Sequence, residues 1–391
     1  MEIRLADRIT SLPPYLFAEI DRLKAEARRK GIDLISFGIG DPDLPTPEHV
    51  VRAGQAAMAD PKNHRYPDYE GMPEYRAAVC RWYERRFGVT DLNPETECVS
   101  LIGSKEGIAH IALALLNPGD IALCPDPGYP VYSVGTRFAE GIPYYLPLRA
   151  ENGFLPDLEN IPADVLKKAK VLWLNYPNNP TGAVADLAFW QRAVEFGRRH
   201  GIVILSDNAY SEVRFDGYEP PSFLQVPGAK EVGAEFHSLS KTYNMTGWRV
   251  GALVGNRTIV QALGKVKTNV DSGIFQAVQV AGIAALDGDQ ACVDRNNAIY
   301  ARRRDVLVEG LRSLGWEVEP MKATFYLWVK TPGGMKSMDV VKRLIDEAGV
   351  VATPGVGFGL GGHGEGYVRF AITTSEERTR EAVARMQKMA W

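Results

Sequence analysis

Short apolar segments recur through the middle of this chain, and most are separated by stretches long enough to form a helix. These segments are CVSLIG, DIALCP, KVLWLN, GIVILS, EFHSLS and VGALVG, at 98–103, 120–125, 170–175, 201–206, 235–240 and 250–255. Strands that are apolar on both faces and alternate with helices are typical of a largely parallel sheet covered on both sides. The pattern predicts an α/β fold whose ligands bind beyond the carboxyl ends of the strands.

The two ends of the chain have a different pattern of predicted helices and strands. Residues 13–31 predict a helix that begins at two prolines and ends at a glycine, and a Gly- and Pro-rich arm follows at 35–47. After about residue 290 a charged helix, a strand and a further helix predict a smaller α+β unit. We therefore predict an N-terminal helix and arm that joins the small domain, a large domain, and a C-terminal small domain, at 1–45, 46–290 and 291–391.

Composition excludes several classes of protein. The 391 residues carry a formal net charge of −3 with both signs mixed along the chain, which gives no footprint for nucleic acid or an anionic membrane. Four scattered cysteines form no CxxC pair and suit a reducing compartment. The histidines lack metal-ligand spacing, so we expect no metal site. Without an apolar leader or a membrane-length apolar stretch, we expect a soluble, cytoplasmic protein.

Polar loops follow four of the apolar segments. GSKEG follows the first, YPNNPTG the third, SDNAY the fourth and SLSK the fifth. Each has an ordinary interpretation when taken alone: a Pro/Gly turn for NPTG, for example, or a helix N-cap for Asp207. Because they all lie at predicted carboxyl ends, we expect the four loops to converge on one site that includes Asp207 and Lys241.

Together these loops resemble the class I/II aminotransferases, which are pyridoxal-phosphate enzymes of the aspartate aminotransferase fold. The resemblance extends over nearly the whole chain, and FGIGDPDLPTP, RYPDYEGMPEYR, SLIGSKEGIAH and PDPGYPVY look most like LL-diaminopimelate aminotransferases and their bacterial relatives. It implies the fold called type I: a large domain with a mostly parallel seven-stranded sheet between helices, and a small α+β domain built from both ends of the chain.

The resemblance also implies roles around the cofactor, pyridoxal 5′-phosphate, which serves as an electron sink. Lys241 matches the Schiff-base lysine, whose freed amine would move a proton between the substrate Cα and C4′ of the cofactor. Asp207 matches the carboxylate that keeps the pyridine nitrogen protonated. Tyr210 and Asn179 match residues that contact the phenolic oxygen of the ring, and Asn179 also the substrate carboxylate.

Four further residues match the family's phosphate site. Ser104 and the amide of Lys105 open a predicted helix, whose N-terminus favours an anion. Ser238 and Arg249 match the hydroxyl and the guanidinium that flank the lysine.

Two tyrosines, Tyr129 and Tyr66, match aromatic positions of the family. Tyr129 matches the aromatic that stacks on the ring of the cofactor, and Tyr132 is a neighbour that could share this task. Tyr66 matches a tyrosine that reaches the phosphate of the neighbouring subunit, which implies a homodimer with shared active sites. The alternative is that Tyr66 and Tyr69 are ordinary turn or strand aromatics.

The substrates implied are amino acids and 2-oxo acids. Arg369 in GYVRFAIT matches the arginine that binds the α-carboxylate through a bidentate fork, which a lysine cannot supply. Ile39 and Gly40 of the N-terminal arm would close over the substrate, since glycine lets the backbone approach a ligand.

The distal end of the substrate is less well determined. The candidates are Tyr15, Tyr69, Glu70 and Lys105. Plant-type diaminopimelate aminotransferases carry a glutamate three residues after the equivalent of Tyr66, whereas this chain has Tyr69 there and Glu70 beside it. Lys105 has an equal alternative as a solvated lysine in the first turn of a helix.

The leading hypothesis is an aminotransferase that exchanges an amino group between LL-diaminopimelate and 2-oxoglutarate, or runs from tetrahydrodipicolinate and glutamate in lysine biosynthesis. An alanine- or aspartate-type aminotransferase and a pyridoxal-phosphate C–S β-lyase remain as alternatives, because they share the fold and the lysine. A non-catalytic regulatory aminotransferase-like domain is the alternative of a different class, and the intact Lys241 speaks against it.

Overall fold

The computed structural model describes residues 3–12 and 16–391. The strands within this part are β1 (Ile35–Ser36), β2 (Cys98–Leu101), β3 (Ile121–Asp126), β4 (Ile142–Pro147), β5 (Ala169–Leu174), β6 (Val203–Asn208), β7 (Gly233–Ser238), β8 (Gly251–Gly255), β9 (Tyr326–Lys330), β10 (Val350–Val351), β11 (Thr353–Pro354) and β12 (Tyr367–Ala371). The α-helices there are α1 (Asp7–Thr10), α2 (Leu16–Arg29), α3 (Glu48–Ala59), α4 (Pro73–Phe87), α5 (Ser104–Leu115), α6 (Val131–Phe138), α7 (Ala163–Leu166), α8 (Leu187–His200), α9 (Ala229–Val232), α10 (Leu239–Thr242), α11 (Arg257–Lys267), α12 (Gln276–Asp287), α13 (Ala291–Ser313), α14 (Ser337–Arg343) and α15 (Glu376–Met386).

The central sheet of the described chain has seven strands in the order β2-β8-β7-β6-β5-β3-β4. Strands β4, β3, β5, β6 and β7 pair in parallel, and β8 is antiparallel to both of its neighbours, β2 and β7. Every residue of β2, β3, β7 and β8 is buried, as expected for a sheet covered on both faces. The predicted fold class, with its mostly parallel seven-stranded sheet, is confirmed.

Helices cover the two faces of this sheet. On one face α4, α8 and α12 pack against side chains such as Leu123 and Leu172. On the other face α5, α6 and α11 pack against alternate side chains of the same strands, such as Ala122 and Val171. Because side chains alternate along a strand, each apolar segment contributes to both layers.

Two local features differ from the sequence-based expectation. Strand β4 has no matching apolar segment in the prediction, because it is an edge strand whose side chains are mostly half-buried. The segment EFHSLS is not a strand throughout. Strand β7 ends at Ser238, and the last two residues of the segment, Leu239 and Ser240, begin the short helix α10. Lys241 therefore lies on a helical turn directly beyond the end of a central strand.

A third apolar cluster packs α2, α13, α14 and α15 against β9 and β12. Strand β1 pairs in parallel with β10, with Ile35 opposite Val350, so the N-terminal segment joins the C-terminal part. Tyr210 and Phe215, which follow β6 in sequence, also belong to this cluster. The domain boundaries at 45 and 290 stay a prediction. Within residues 3–12 and 16–391, none of the helices combines the length and the hydropathy needed to cross a bilayer.

Candidate active site

A cavity of about 460 Å³ lies where the carboxyl ends of β3, β5, β6 and β7 meet the C-terminal part of the chain. Most of the residues predicted from the sequence line it. They are Ile39, Gly40, Ser104, Lys105, Tyr129, Asn179, Asp207, Tyr210, Ser238, Lys241, Arg249 and Arg369. The four polar loops therefore converge as expected from the geometry of a parallel sheet.

The amine of Lys241 points into this cavity. Its Nζ donates a hydrogen bond of 2.6 Å to the carbonyl oxygen of Gly40. Burial lowers the pKa of Lys241, and the nearby guanidiniums of Arg369 and Arg249 lower it further, although Tyr326 opposes them. A lowered pKa makes the neutral, nucleophilic amine more accessible near neutral pH.

Gly40 brings the N-terminal arm onto this lysine. A Cβ atom at this position would overlap the hydroxyl of Tyr326. Glycine at position 40 therefore lets the arm pass between Tyr326 and Lys241.

Asp207 lies beneath the cavity at the end of β6. Its Oδ2 accepts a 2.7 Å hydrogen bond from the hydroxyl of Tyr132, and Asn175 donates to its backbone carbonyl, also at 2.7 Å. Burial raises the pKa of Asp207 to about 6, the Tyr132 hydrogen bond lowers it, and the charge of Glu235 raises it. Oδ1 is buried and has no hydrogen-bond partner among the described residues. A buried acceptor of this kind fits the N–H of a protonated pyridine ring.

A candidate anion site lies at the start of α5. Gly103 precedes Ser104 with φ of +70°, and a Cβ atom there would overlap the guanidinium of Arg249. Arg249 donates to two backbone carbonyls, those of Thr246 and Ile102, and none of the described carboxylates pairs with it. A helix N-terminus beside an unneutralised guanidinium fits a phosphate group.

Ser238 adds a hydroxyl to this side of the cavity. It is the N-cap of α10, and its Oγ accepts a 3.2 Å hydrogen bond from the backbone N–H of Ser240. The hydroxyl proton remains available to an acceptor within the cavity, because this hydrogen bond uses only a lone pair of the oxygen.

Arg369 lines the same cavity and is 4% exposed. Its guanidinium donates to Oδ1 of Asn179 and to the carbonyl oxygen of Gly38, each at 2.7 Å. The rings of Tyr326 and Phe358 lie 4.2 Å and 4.5 Å from its Cζ, close enough for cation–π attraction. Burial lowers the pKa of Arg369. A buried cation without a carboxylate partner among the described residues fits an anionic ligand.

Four tyrosines at the site form two contacting pairs, Tyr210 with Tyr326 and Tyr129 with Tyr132. The hydroxyl oxygens of Tyr210 and Tyr326 are 3.0 Å apart at the cavity wall. Tyr132, considered above as a second stacking aromatic, instead packs its ring on Trp173, with centroids 4.7 Å apart, and donates to Asp207. Tyr129 contacts the edge of Tyr132, with centroids 5.7 Å apart, and lines the cavity.

Some predicted residues do not line this cavity. The side chain of Tyr66 is 87% exposed and that of Tyr69 is 46% exposed, and Glu70 is also exposed. Tyr15 lies outside the described residues. The roles predicted for these four side chains stay predictions.

Sequence reasoning missed Tyr326, Phe358 and Asn175, all of which line the cavity. Asn175 could have been predicted from the sequence, since it is the polar residue that ends the third apolar segment. Tyr326 and Phe358 could not, because only the pairing of β9 with β12 and the fold of the glycine-rich segment bring them to Arg369.

Comparison with known proteins shows the family of this chain. A family model described as aminotransferase class I and II matches residues 32–386. The chain is similar to the LL-diaminopimelate aminotransferases of Syntrophobacter fumaroxidans and Moorella thermoacetica, with 56% identity to each. The alignments cover 99% of both chains for the first and 98% of both chains for the second. Among solved structures, it resembles substrate-bound BacF from Bacillus subtilis, with a TM-score of 0.93, 42% identity, and coverage of 99% of this chain and 98% of that one. The chain therefore belongs to the aminotransferase class I and II family and is a pyridoxal-phosphate-dependent transaminase.

Proposed function

We propose that this chain transfers an amino group between LL-diaminopimelate and 2-oxoglutarate, with Lys241 as the catalytic residue. The observation that carries the catalytic part is the partly buried amine of Lys241, which shares one cavity with the exposed guanidinium of Arg249 and the buried guanidinium of Arg369. The substrate rests on relatives named LL-diaminopimelate aminotransferase that match almost the whole chain.

On one side of the cavity, Asp207 and the residues of the candidate anion site would bind the cofactor. Bound pyridoxal phosphate supplies an electron sink for the carbanion formed beside the substrate amino group. Oδ1 of Asp207 would accept the pyridine N–H, and the Tyr132 hydrogen bond on Oδ2 keeps this carboxylate oriented. Ser104, Ser238 and Arg249 would hold the phosphate.

The substrate side uses the remaining cavity residues. Arg369 would bind the α-carboxylate as a fork, and Asn179 accepts a hydrogen bond from its guanidinium. Nζ of Lys241 would hold the cofactor and, when the substrate amine takes its place, would accept the proton from the substrate Cα. The hydroxyl of Tyr210 would donate a hydrogen bond to the phenolic oxygen of the cofactor, and Tyr129 would cover the ring.

A homodimer with shared active sites is part of this proposal. Tyr66, Tyr69, Val270 and Phe275 are large exposed apolar or aromatic side chains, which are unusual as a group on the surface of a monomer. They belong to adjoining segments, because the ring of Phe275 lies 6.5 Å from that of His64. A dimer that covers this surface would bring Tyr66 to the site of the partner subunit.

The cytoplasm is the compartment that we propose for this enzyme. The four cysteines of the chain are all buried and unpaired, as is usual where thiols stay reduced.

The test uses the absorbance of the bound cofactor. Purified wild-type protein should be yellow, and Lys241→Ala should abolish the pH-sensitive band of the lysine-bound cofactor. In stopped-flow half-reactions, LL-diaminopimelate and glutamate should bleach this band faster than alanine or aspartate. If LL-diaminopimelate leaves the spectrum unchanged while alanine bleaches it, the proposed substrate is wrong. A wild-type protein that gains no band with added pyridoxal phosphate would refute the catalytic assignment itself.

A further inference from the structure

Lys267, the last residue of α11, is a completely buried lysine that does not line the active-site cavity. Its Nζ donates to Oε2 of Glu106 and to Oδ2 of Asp271, each at 3.0 Å. A buried ammonium persists only where acceptors replace its water. Lys267 is therefore held in place by these two carboxylates and fixes their positions in turn.

Glu106 lies in the first turn of α5 and connects this lysine to the backbone. The oxygen that accepts from Lys267 also accepts a 3.1 Å hydrogen bond from the N–H of Ile102, and the other oxygen lies 3.0 Å from Nδ1 of His110. Burial alone would raise the pKa of Glu106, but the His110 hydrogen bond and the Lys267 charge outweigh it and lower the pKa. Glu106 is thus kept as a carboxylate, which accepts strongly from a backbone N–H.

The cluster has an alternative interpretation as a metal site. One ligand atom each from Glu106, His110 and Asp271 lie within 4.8 Å of one another. The ammonium of Lys267, however, contacts both carboxylates at 3.0 Å. This ammonium already occupies the position of a cation, so the arrangement is an ion-pair network.

The peptide groups around Ile102 link this network to the anion site. The N–H of Ile102 donates to Glu106, and its carbonyl oxygen lies 3.4 Å from Nη2 of Arg249. Gly103 and Ser104 follow directly and begin α5. We infer that Lys267, acting through Glu106, is a positioning residue for the 102–104 turn, and thereby for the phosphate of the cofactor.

This inference rests on the proposed role of Ser104 and Arg249 in phosphate binding, and it predicts a specific signature. Without the ammonium, the carboxylates of Glu106 and Asp271 repel each other, and Glu106 turns away from Ile102 or takes up a proton. The turn then loses its acceptor and its fixed conformation. Binding of the phosphate should weaken, whereas contacts with the ring and the aldehyde, which involve Asp207 and Lys241, should not.

The experiment compares two ligands on the apoprotein. Pyridoxal phosphate and pyridoxal, which lacks the phosphate, are titrated against wild type, Lys267→Met and Lys267→Arg, with binding followed by absorbance. Lys267→Met should raise the Kd for pyridoxal phosphate by tenfold or more and leave the Kd for pyridoxal within twofold of wild type. Lys267→Arg, which keeps the cation, should bind pyridoxal phosphate with a Kd much closer to that of wild type than Lys267→Met does. Lys265→Met, at an exposed lysine of the same helix, is the matched control and should behave as wild type.

Two outcomes would overturn the inference: an equal loss for both ligands in Lys267→Met, or no loss for either. If Lys267→Met does not fold, as judged by thermal unfolding, the ratio of the two Kd values in Glu106→Gln decides by the same criterion. A wild-type protein that binds no pyridoxal phosphate refutes the proposed function instead, so the two failures can be told apart.

Discussion

The hydroxyl of Tyr132 donates a 2.7 Å hydrogen bond to one oxygen of Asp207, and the other oxygen of that carboxylate has no partner among the described residues. The protein therefore satisfies one oxygen of a buried carboxylate and leaves the other oxygen available to a ligand in the cavity that Asp207 lines. Since this hydrogen bond lowers the pKa of Asp207 against the effect of burial, Tyr132 adjusts the charge of the carboxylate as well as its orientation.

Replacement of Tyr132 by phenylalanine should shift the acid side of the activity profile. The lost hydrogen bond lets the pKa of Asp207 rise further, so the carboxylate becomes protonated at a higher pH. A hydrogen bond to a charged group is worth about 1.5–3 kcal/mol, which corresponds to a shift of about one to two pH units. The measurement is kcat/KM against pH. Tyr145→Phe, which removes a buried hydroxyl without a hydrogen-bond partner among the described residues, should leave the profile unchanged.

The apoprotein with Asp207→Asn should be more stable than the wild-type apoprotein at pH 7, although it should be inactive. The pKa of Asp207 is raised by burial from 3.8 to about 6. Between these values the native state binds more protons than the unfolded state, so stability falls as the pH rises through this window. Asparagine removes that cost, and at pH 7 the gain in the free energy of unfolding is at most about 3 kcal/mol. Denaturant unfolding at pH 4 and pH 7 checks it; a gain that is equal at both values would contradict the electrostatic cause.

Arg369→Lys should weaken the binding of every α-carboxylate substrate. Lysine cannot reproduce the fork that Asn179, Gly38 and the two flanking rings hold in place. Loss of a buried charged contact costs about 2–5 kcal/mol, so kcat/KM should fall by at least about thirtyfold for both the amino acid and 2-oxoglutarate. Arg380→Lys, at an exposed position of α15, is the control. A loss confined to one substrate would contradict the assignment to the shared α-carboxylate.

The residues predicted best from the sequence are those at the ends of buried strands. Asp207, Ser238 and Lys241 lie at or near the ends of apolar segments whose parallel arrangement places their carboxyl ends together. This inference needs only the alternation of strands and helices, which local sequence determines.

Residues that depend on tertiary contacts could not be predicted in this way. Tyr326 reaches the site through the antiparallel register of β9 and β12, and nothing near it in sequence marks that position. Lys267 lies in GKVKTN, where composition favours a solvated lysine, yet its side chain is fully buried. The burial of this charge can be recognised only once the fold places its partners around it, namely Glu106, 161 residues away in sequence, and Asp271, 4 residues away.

Subunit complementation tests whether Tyr66 serves the active site of a partner. Lys241→Ala and Tyr66→Ala should each have very low activity, because one lacks the catalytic amine and the other a phosphate contact. If Tyr66 acts across the interface, a heterodimer of the two variants contains one site with both residues intact. After denaturation and refolding of an equal mixture, half of the dimers are mixed and one of their two sites is restored, so activity should recover to about one quarter of wild type. The measurement is specific activity before and after mixing, with each variant refolded alone as the control. Activity that never exceeds the mean of the two parents would place Tyr66 outside the partner's site.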